Sequence, residues 1–226
     1  MATIIPRWEW RTFGSRFGAA DVVFRALTPT GIQESDELYL LSGAGDNVKV
    51  RDDLMDVKVL KEVNADGLEQ WTPVMKAGFP LPAAEVTNVF NALRREVPQM
   101  SREAYTLDQF VDELVAASDG LRAVPVHKRR VRYTIGGCTS EVSDVSSDGK
   151  EVRTVAIENE DPAAVIAAVR SVGLADYVNT SYPRGLADLI DDVPQRFADI
   201  DVGTNSIKFH LAERLANGTW KTLADR

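Results

Sequence analysis

The chain has 226 residues, a formal net charge of −8, 44% hydrophobic and 27% charged residues, and a single cysteine. That length suits one large domain or two small ones of ordinary globular composition, with no apolar run long enough to span a bilayer and no signal-peptide core in "MATIIPRWEWR", which Pro6, Arg7 and Glu9 interrupt. The lone Cys138 excludes an internal disulfide and fits a reducing cytoplasm, and the acidic balance argues against a broad nucleic-acid surface while leaving room for a local cationic pocket.

"RWEWR" opens with alternation, placing Arg7, Glu9 and Arg11 on one strand face and Trp8 and Trp10 on the other. Helical spacing follows in Phe17 to Leu27. "ELYLLS" and "NVKVRDD" read as short strands joined by "GAGDN", and "LMDVKVLKEV" and "LEQWTPVMK" as two more joined around "NADG". "LPAAEVTNVFNALRREV" is amphipathic and starts after Pro82. "TLDQFVDELVAAS" has Thr106 as N-cap and Asp119-Gly120 as a stop. "AVPVHKRRVRYTIGG" is long, alternating and β-branched, and "CTSEVSDVSSDGKEVRTVAIEN" reads as a hairpin over "SSDGK". Asp161-Pro162 opens a helix ending at Gly173, and "YPRGLADLIDD" reads as a final short helix. About eight strands in hairpin order predict an antiparallel α+β fold.

The strands are unusually ionic on one parity. Lys49 and Arg51 share a face, as do Lys128, Arg130 and Arg132, with Glu141 on the next strand and Glu158 and Glu160 on the one after. If the strands close into a barrel, these groups all face water or all face a lumen. A solvated face laced with cross-strand ion pairs explains the pattern without a ligand. A lumen so lined would suit a chain of phosphates, held by Arg forks and Lys point charges, with carboxylates holding a divalent ion.

The order of elements and these charged faces resemble the CYTH superfamily, the triphosphate tunnel metalloenzymes. The resemblance covers about Ile4 to Ile190. It implies an eight-stranded antiparallel tunnel barrel with flanking helices. It also implies a ligand such as inorganic triphosphate, polyphosphate or a nucleoside triphosphate. The family's opening Glu-x-Glu-x-Lys corresponds to "RWEWR", where Arg7 replaces the first Glu, Glu9 matches the second and Arg11 replaces the Lys. By the same resemblance Arg11, Lys49, Arg51, Lys128, Arg130 and Arg132 are the phosphate ligands. Glu9, Glu141 and Glu158 would hold Mg²⁺ or Mn²⁺, with Asp144 also retained on the acidic strand. Ala156 stands where the last strand's first Glu belongs. Lost carboxylates and an added cation weaken a metal site. Metal-dependent phosphoanhydride hydrolysis, polyphosphate sensing without turnover and a scaffold with a degenerate tunnel all remain open, and no catalytic residue is assigned.

"DIDVGTNSIKFHLAER" resembles a second family, the opening strand–turn–strand of the Ppx/GppA phosphatases, whose fold is actin-like. The resemblance makes Asp201, Gly203, Thr204, Asn205 and Ser206 an incomplete phosphate loop. "ANG" and "TWKTLADR" would continue it. The expected organisation is a tunnel domain over residues 1–190 and a C-terminal β-hairpin stub of the second domain over 196–226, cytoplasmic and without membrane or nucleic-acid contacts. The rest of a Ppx/GppA domain in a longer chain would be its partner. His127, His210 and Cys138 read as structural positions, and Trp8, Trp10 and Trp71 as core or tunnel rim.

Overall fold

A computed structural model describes residues 5–43, 45–193, 195–214 and 220–225. The chain divides into two compact units, Met1–Gly185 and Leu186–Arg226.

The first unit is built on eight strands that close into an antiparallel barrel. In chain order it runs β1 (Arg7–Gly14), α1 (Ala19–Ala26), β2 (Gly31–Leu41), β3 (Asn47–Arg51), β4 (Leu54–Val63) and β5 (Glu69–Gly78). The two-residue strand β6 (Leu81–Pro82), α2 (Ala83–Ala92) and β7 (Ala104–Tyr105) follow. Next come α3 (Leu107–Gln109), continuing into a π-helical stretch at Phe110–Val115, then β8 (Arg122–Ile135), β9 (Cys138–Ser147), β10 (Lys150–Asn159), α4 (Pro162–Ser171) and the first residues of α5 (Tyr182–Ile190), whose remainder belongs to the second unit. Around the barrel the order is β1-β10-β9-β8-β2-β3-β4-β5.

Three hairpins have two-residue loops with both residues at positive φ: Asp52-Asp53, Gly136-Gly137 and Asp148-Gly149. Such turns match the right-handed strand twist and fix the register of the flanking strands. Register then decides which side chains share a face. Arg132 lies opposite Glu141, Glu141 opposite Ala156, and Ala156 opposite Arg11. Likewise Lys49 lies opposite Tyr39 on β2 and Asp56 on β4.

The apolar core lies outside the barrel, between its outer face and the helices. One cluster packs Trp8, Trp10, Tyr133, Val155 and Ile157 against Phe24 of α1 and Val165 and Val169 of α4. The other packs Leu40, Val48, Val50, Met55 and Val57 against Val86 and Phe90 of α2 and Phe110. Each large apolar side chain buried this way contributes about 1.5–3 kcal/mol. Side chains cap α3 and α4. Thr106 and Gln109 form a reciprocal capping box, and Asp161 caps α4 ahead of Pro162. With the helices holding the outer face, the inner face is free to be ionic.

The closure between β1 and β5 is short, running from Arg7–Trp71 to Glu9–Glu69. Beyond it, residues 179–182 fill the seam. Arg11 N–H donates to Asn179 Oδ1 (2.7 Å), Thr180 N–H to the Arg11 carbonyl (2.7 Å), and Asn179 Nδ2 to the Gly67 carbonyl (2.6 Å). This brings Tyr182 to the lumen.

The second unit carries a three-stranded antiparallel sheet of β11 (Gln195–Val202), β12 (Ile207–Arg214) and β13 (Trp220–Asp225). The expected hairpin is therefore extended by a third strand. The predicted turn at Ala216-Asn217-Gly218 lies outside the described residues. Gly203 N–H donates to the Ser206 carbonyl at 2.8 Å, closing the β11–β12 turn on itself. Asp201 and Gly203 to Ser206 are all exposed.

Candidate functional site

The inner positions of the barrel enclose a cavity of about 220 Å³. β1 contributes Glu9 and Arg11, β2 Tyr39, and β3 Asn47, Lys49 and Arg51. β4 contributes Asp56 and Lys58, β8 Lys128, Arg130 and Arg132, β9 Glu141, and β10 Glu158, with Tyr182 entering from α5. The nine residues of the first unit expected as phosphate or metal ligands thus border one cavity. Seven cations face four carboxylates there. The solvated-face explanation does not describe this surface, since Lys128 is 2% exposed, Arg11 6% and Lys49 9%.

Two carboxylates organise the cations. Glu141 accepts from Lys128 Nζ and Arg11 Nη2, each at 3.2 Å, and lies 3.0 Å from Arg130 Nε. The Arg130 Nε is not aligned for a hydrogen bond to it and has no other partner. Glu37, which the sequence reading missed, is the second organiser. Its side chain is 0% exposed and accepts from Lys49 Nζ (2.7 Å), the Tyr39 hydroxyl (2.7 Å) and Ser35 Oγ (3.1 Å). Arg51 and Arg130 stand 3.7 and 3.9 Å away. Glu9 accepts from Arg11 Nε at 2.8 Å, and Glu158 from Arg7 at 3.1 Å.

The titration of these groups follows from that crowding. Burial alone would raise Glu37, but Lys49, Lys128 and the Tyr39 hydroxyl outweigh it and lower its pKa to about 2. Glu141 is held below the ordinary carboxylate range against the same burial effect by Lys128, Arg11 and Arg130. Burial, aided by the nearby Arg11, Arg130 and Lys49, pushes the Lys128 ammonium down to about 7, although Glu141 opposes this. Lys49 is also lowered by burial, with Glu37 opposing.

Tyr182 was read from sequence only as the start of a helix. Its ring stacks on Tyr39 (4.7 Å, 16°) and meets Phe13 edge-on (5.6 Å). Lys128 Nζ lies 4.7 Å and the Arg11 guanidinium 5.1 Å from its centroid. Among the described residues the buried Tyr182 hydroxyl makes no well-formed hydrogen bond, and neither do Asn47 Oδ1 and Ser140 Oγ beside the cavity. Polar atoms of this kind are open to hydrogen bonds from water or from a ligand in the cavity.

Period-2 geometry corrects some expectations. Asp144 is on the opposite parity from Glu141, faces outward and pairs with Arg153 at 3.2 Å. Glu160 lies beyond the end of β10. Arg132 reaches the cavity while donating to Gln33 at 2.9 Å from an exposed position. Among the described residues no three His, Cys, Asp or Glu side chains stand together as ligands. Each of Glu9, Glu141 and Glu158 is instead turned to a guanidinium or ammonium.

No protein-family description matches the chain. No curated protein matches it in sequence. Among solved structures it is similar to a candidate adenylyl cyclase from Hippeastrum whose dominant activity is that of a triphosphatase (14% identity, TM-score 0.46, covering 82% of this chain and 95% of that one). It is also similar to a candidate adenylate cyclase from Bacillus halodurans (9%, TM-score 0.44, 78% and 95%) and to a protein from Pyrococcus horikoshii (10%, TM-score 0.39, 80% and 98%). The closed eight-stranded barrel itself is established by the strand register.

Proposed function

We propose that the barrel lumen binds a short chain of phosphates: inorganic triphosphate, polyphosphate or the triphosphate of a nucleotide. One observation carries this reading. Arg11, Lys49, Arg51, Lys128, Arg130 and Arg132 converge on a single cavity, with all but Arg132 paired to Glu37 or Glu141. Convergent guanidinium and ammonium groups in a shielded site are the chemistry that recognises polyphosphate. The CYTH-like motifs in "RWEWR", "NVKVRDD" and "HKRRVRY" point to the same ligand class. So does the Ppx/GppA-like turn Asp201 to Ser206, whose reading as a phosphate loop, with the rest of such a domain as partner, rests on sequence.

Binding is the function this geometry supports best, because six candidate phosphate ligands border the same cavity. Lys128, Arg130 and Arg11 would clamp non-bridging oxygens, and the Tyr182 hydroxyl would donate to the chain. The expectation of Mg²⁺ or Mn²⁺ carries no step here, since the carboxylates are taken by cations. Isothermal titration of the full chain with sodium tripolyphosphate tests the proposal. Saturable, salt-sensitive binding lost in Lys128→Ala and Arg130→Ala supports it, whereas unchanged affinity in both variants refutes it. Phosphate release followed on the same samples separates a hydrolase from a binding module.

A further inference from the structure

Arg11 lies between two carboxylates, Glu9 of its own strand β1 and Glu141 of β9, the next strand but one around the barrel. Its Nε donates to Glu9 at 2.8 Å, its Nη2 to Glu141 at 3.2 Å and its Nη1 to Thr154 Oγ1 at 3.3 Å. Its guanidinium thus bridges the pair that would otherwise be the nearest oxygen donors for a divalent ion. The third carboxylate, Glu158, is drawn toward the mouth by Arg7. Burial disfavours the charged Arg11, yet Glu9 and Glu141 outweigh it and hold the guanidinium charged. A divalent ion entering here would have to expel a buried cation into a cavity already holding Lys128 and Arg130.

We infer that the lumen takes its phosphate chain free of divalent metal, with Arg11 as a built-in cation in the place of the ion. This rests on the reading of the lumen as a phosphate site. The ligand is then the fully anionic chain, and Mg²⁺ in solution competes with the protein for it. Glu9 and Glu141 act as positioning residues that fix Arg11, and they have no metal to ligate.

Two measurements test it on the full chain. In the first, tripolyphosphate is titrated in EDTA and again in excess Mg²⁺. Binding in EDTA that weakens several-fold in Mg²⁺ is the expected result. Binding that appears or tightens only with Mg²⁺ overturns the inference while leaving the phosphate reading intact. No binding in either medium overturns both. In the second, Mn²⁺ alone is added and its free-ion electron paramagnetic resonance signal is followed. The natural chain should leave the signal unchanged, and Arg11→Met, which releases Glu9 and Glu141, should diminish it. Stoichiometric loss of the signal with the natural chain overturns the inference, whether or not the variant folds.

Discussion

Lys49 Nζ donates a 2.7 Å hydrogen bond to a Glu37 carboxylate that has no solvent exposure. An ion pair at that depth is expensive to desolvate, and removing one member leaves the other charge buried and unpaired. Glu37→Ala should therefore destabilise the barrel by about 3–5 kcal/mol. Glu37→Leu combined with Lys49→Met should recover much of that loss. Thermal unfolding of the two variants checks the order. A Glu37→Ala chain as stable as the natural one would show that the pair has no structural weight.

The same carboxylate predicts the acid limb of stability. Glu37 has its pKa lowered from 4.5 to about 2 in the folded barrel. A carboxylate depressed by folding contributes stability that is present above its unfolded pKa and lost as pH falls through its folded one. That contribution should disappear between about pH 4.5 and pH 2. Because burial also lowers Lys49, the pair's net worth is smaller than the Glu37 shift alone. Denaturant midpoints measured down this range should fall steeply for the natural chain and less steeply for Glu37→Gln.

The lumen's fold was legible wherever strand alternation was strong. β8 announces itself by "VHKRRVRYTI", and its basic parity was readable because Val131 and Tyr133 mark the other face. Glu37 escaped because it opens the expected strand "ELYLLS" after "GIQESD", a polar run whose lack of apolar alternation leaves its face unmarked. Only its pairing with β8 shows that Ser35, Glu37 and Tyr39 point inward. Asp56 and Lys58 were overlooked in the same way, since their inward parity depends on the Asp52-Asp53 turn. Asp144 was assigned by resemblance, although its odd separation from Glu141 already puts it on the other face. Tyr182 carries no local signal. It reaches the lumen because residues 179–180 bond into the β1–β5 seam, a tertiary event that no sequence period encodes.

Individual cations should carry measurable affinity. A charge-assisted hydrogen bond in a shielded site is worth about 1.5–3 kcal/mol. Lys128→Ala and Arg130→Ala should each weaken tripolyphosphate binding by about 10- to 100-fold. Lys61→Ala, on an exposed position of β4, should leave it unchanged. Equal losses at all three positions would mean a diffuse electrostatic surface and no defined site.

Lys128 also gives binding a pH dependence. Its pKa of about 7 reflects burial among Arg11, Arg130 and Lys49, with Glu141 and the more distant Glu37 as counter-charges and the Tyr182 ring alongside. A phosphate chain favours the charged amine, so binding above pH 7 must be accompanied by proton uptake. Affinity should fall by up to about tenfold per pH unit above 7. Lys128→Arg keeps the charge across this range and should flatten the profile. Since both proteins see the same titration of the ligand, the difference between the two profiles isolates Lys128. Identical slopes would refute the assignment.

Tyr182→Phe separates packing from recognition at the lumen. The substitution keeps the ring stacked on Tyr39 and edge-on to Phe13, and it removes only a buried hydroxyl that makes no well-formed hydrogen bond among the described residues. An unpaired buried hydroxyl stabilises nothing, so the melting temperature should hold or rise slightly. If the hydroxyl donates to a phosphate oxygen, the same variant should weaken tripolyphosphate binding by about tenfold, the worth of one hydrogen bond to a charged acceptor. Tyr182→Ala should also lower stability, because it strips the stack and removes the ring beside Lys128 and Arg11. A Phe variant that binds as tightly as the natural chain would leave Tyr182 a packing residue, with the cations holding the ligand unaided.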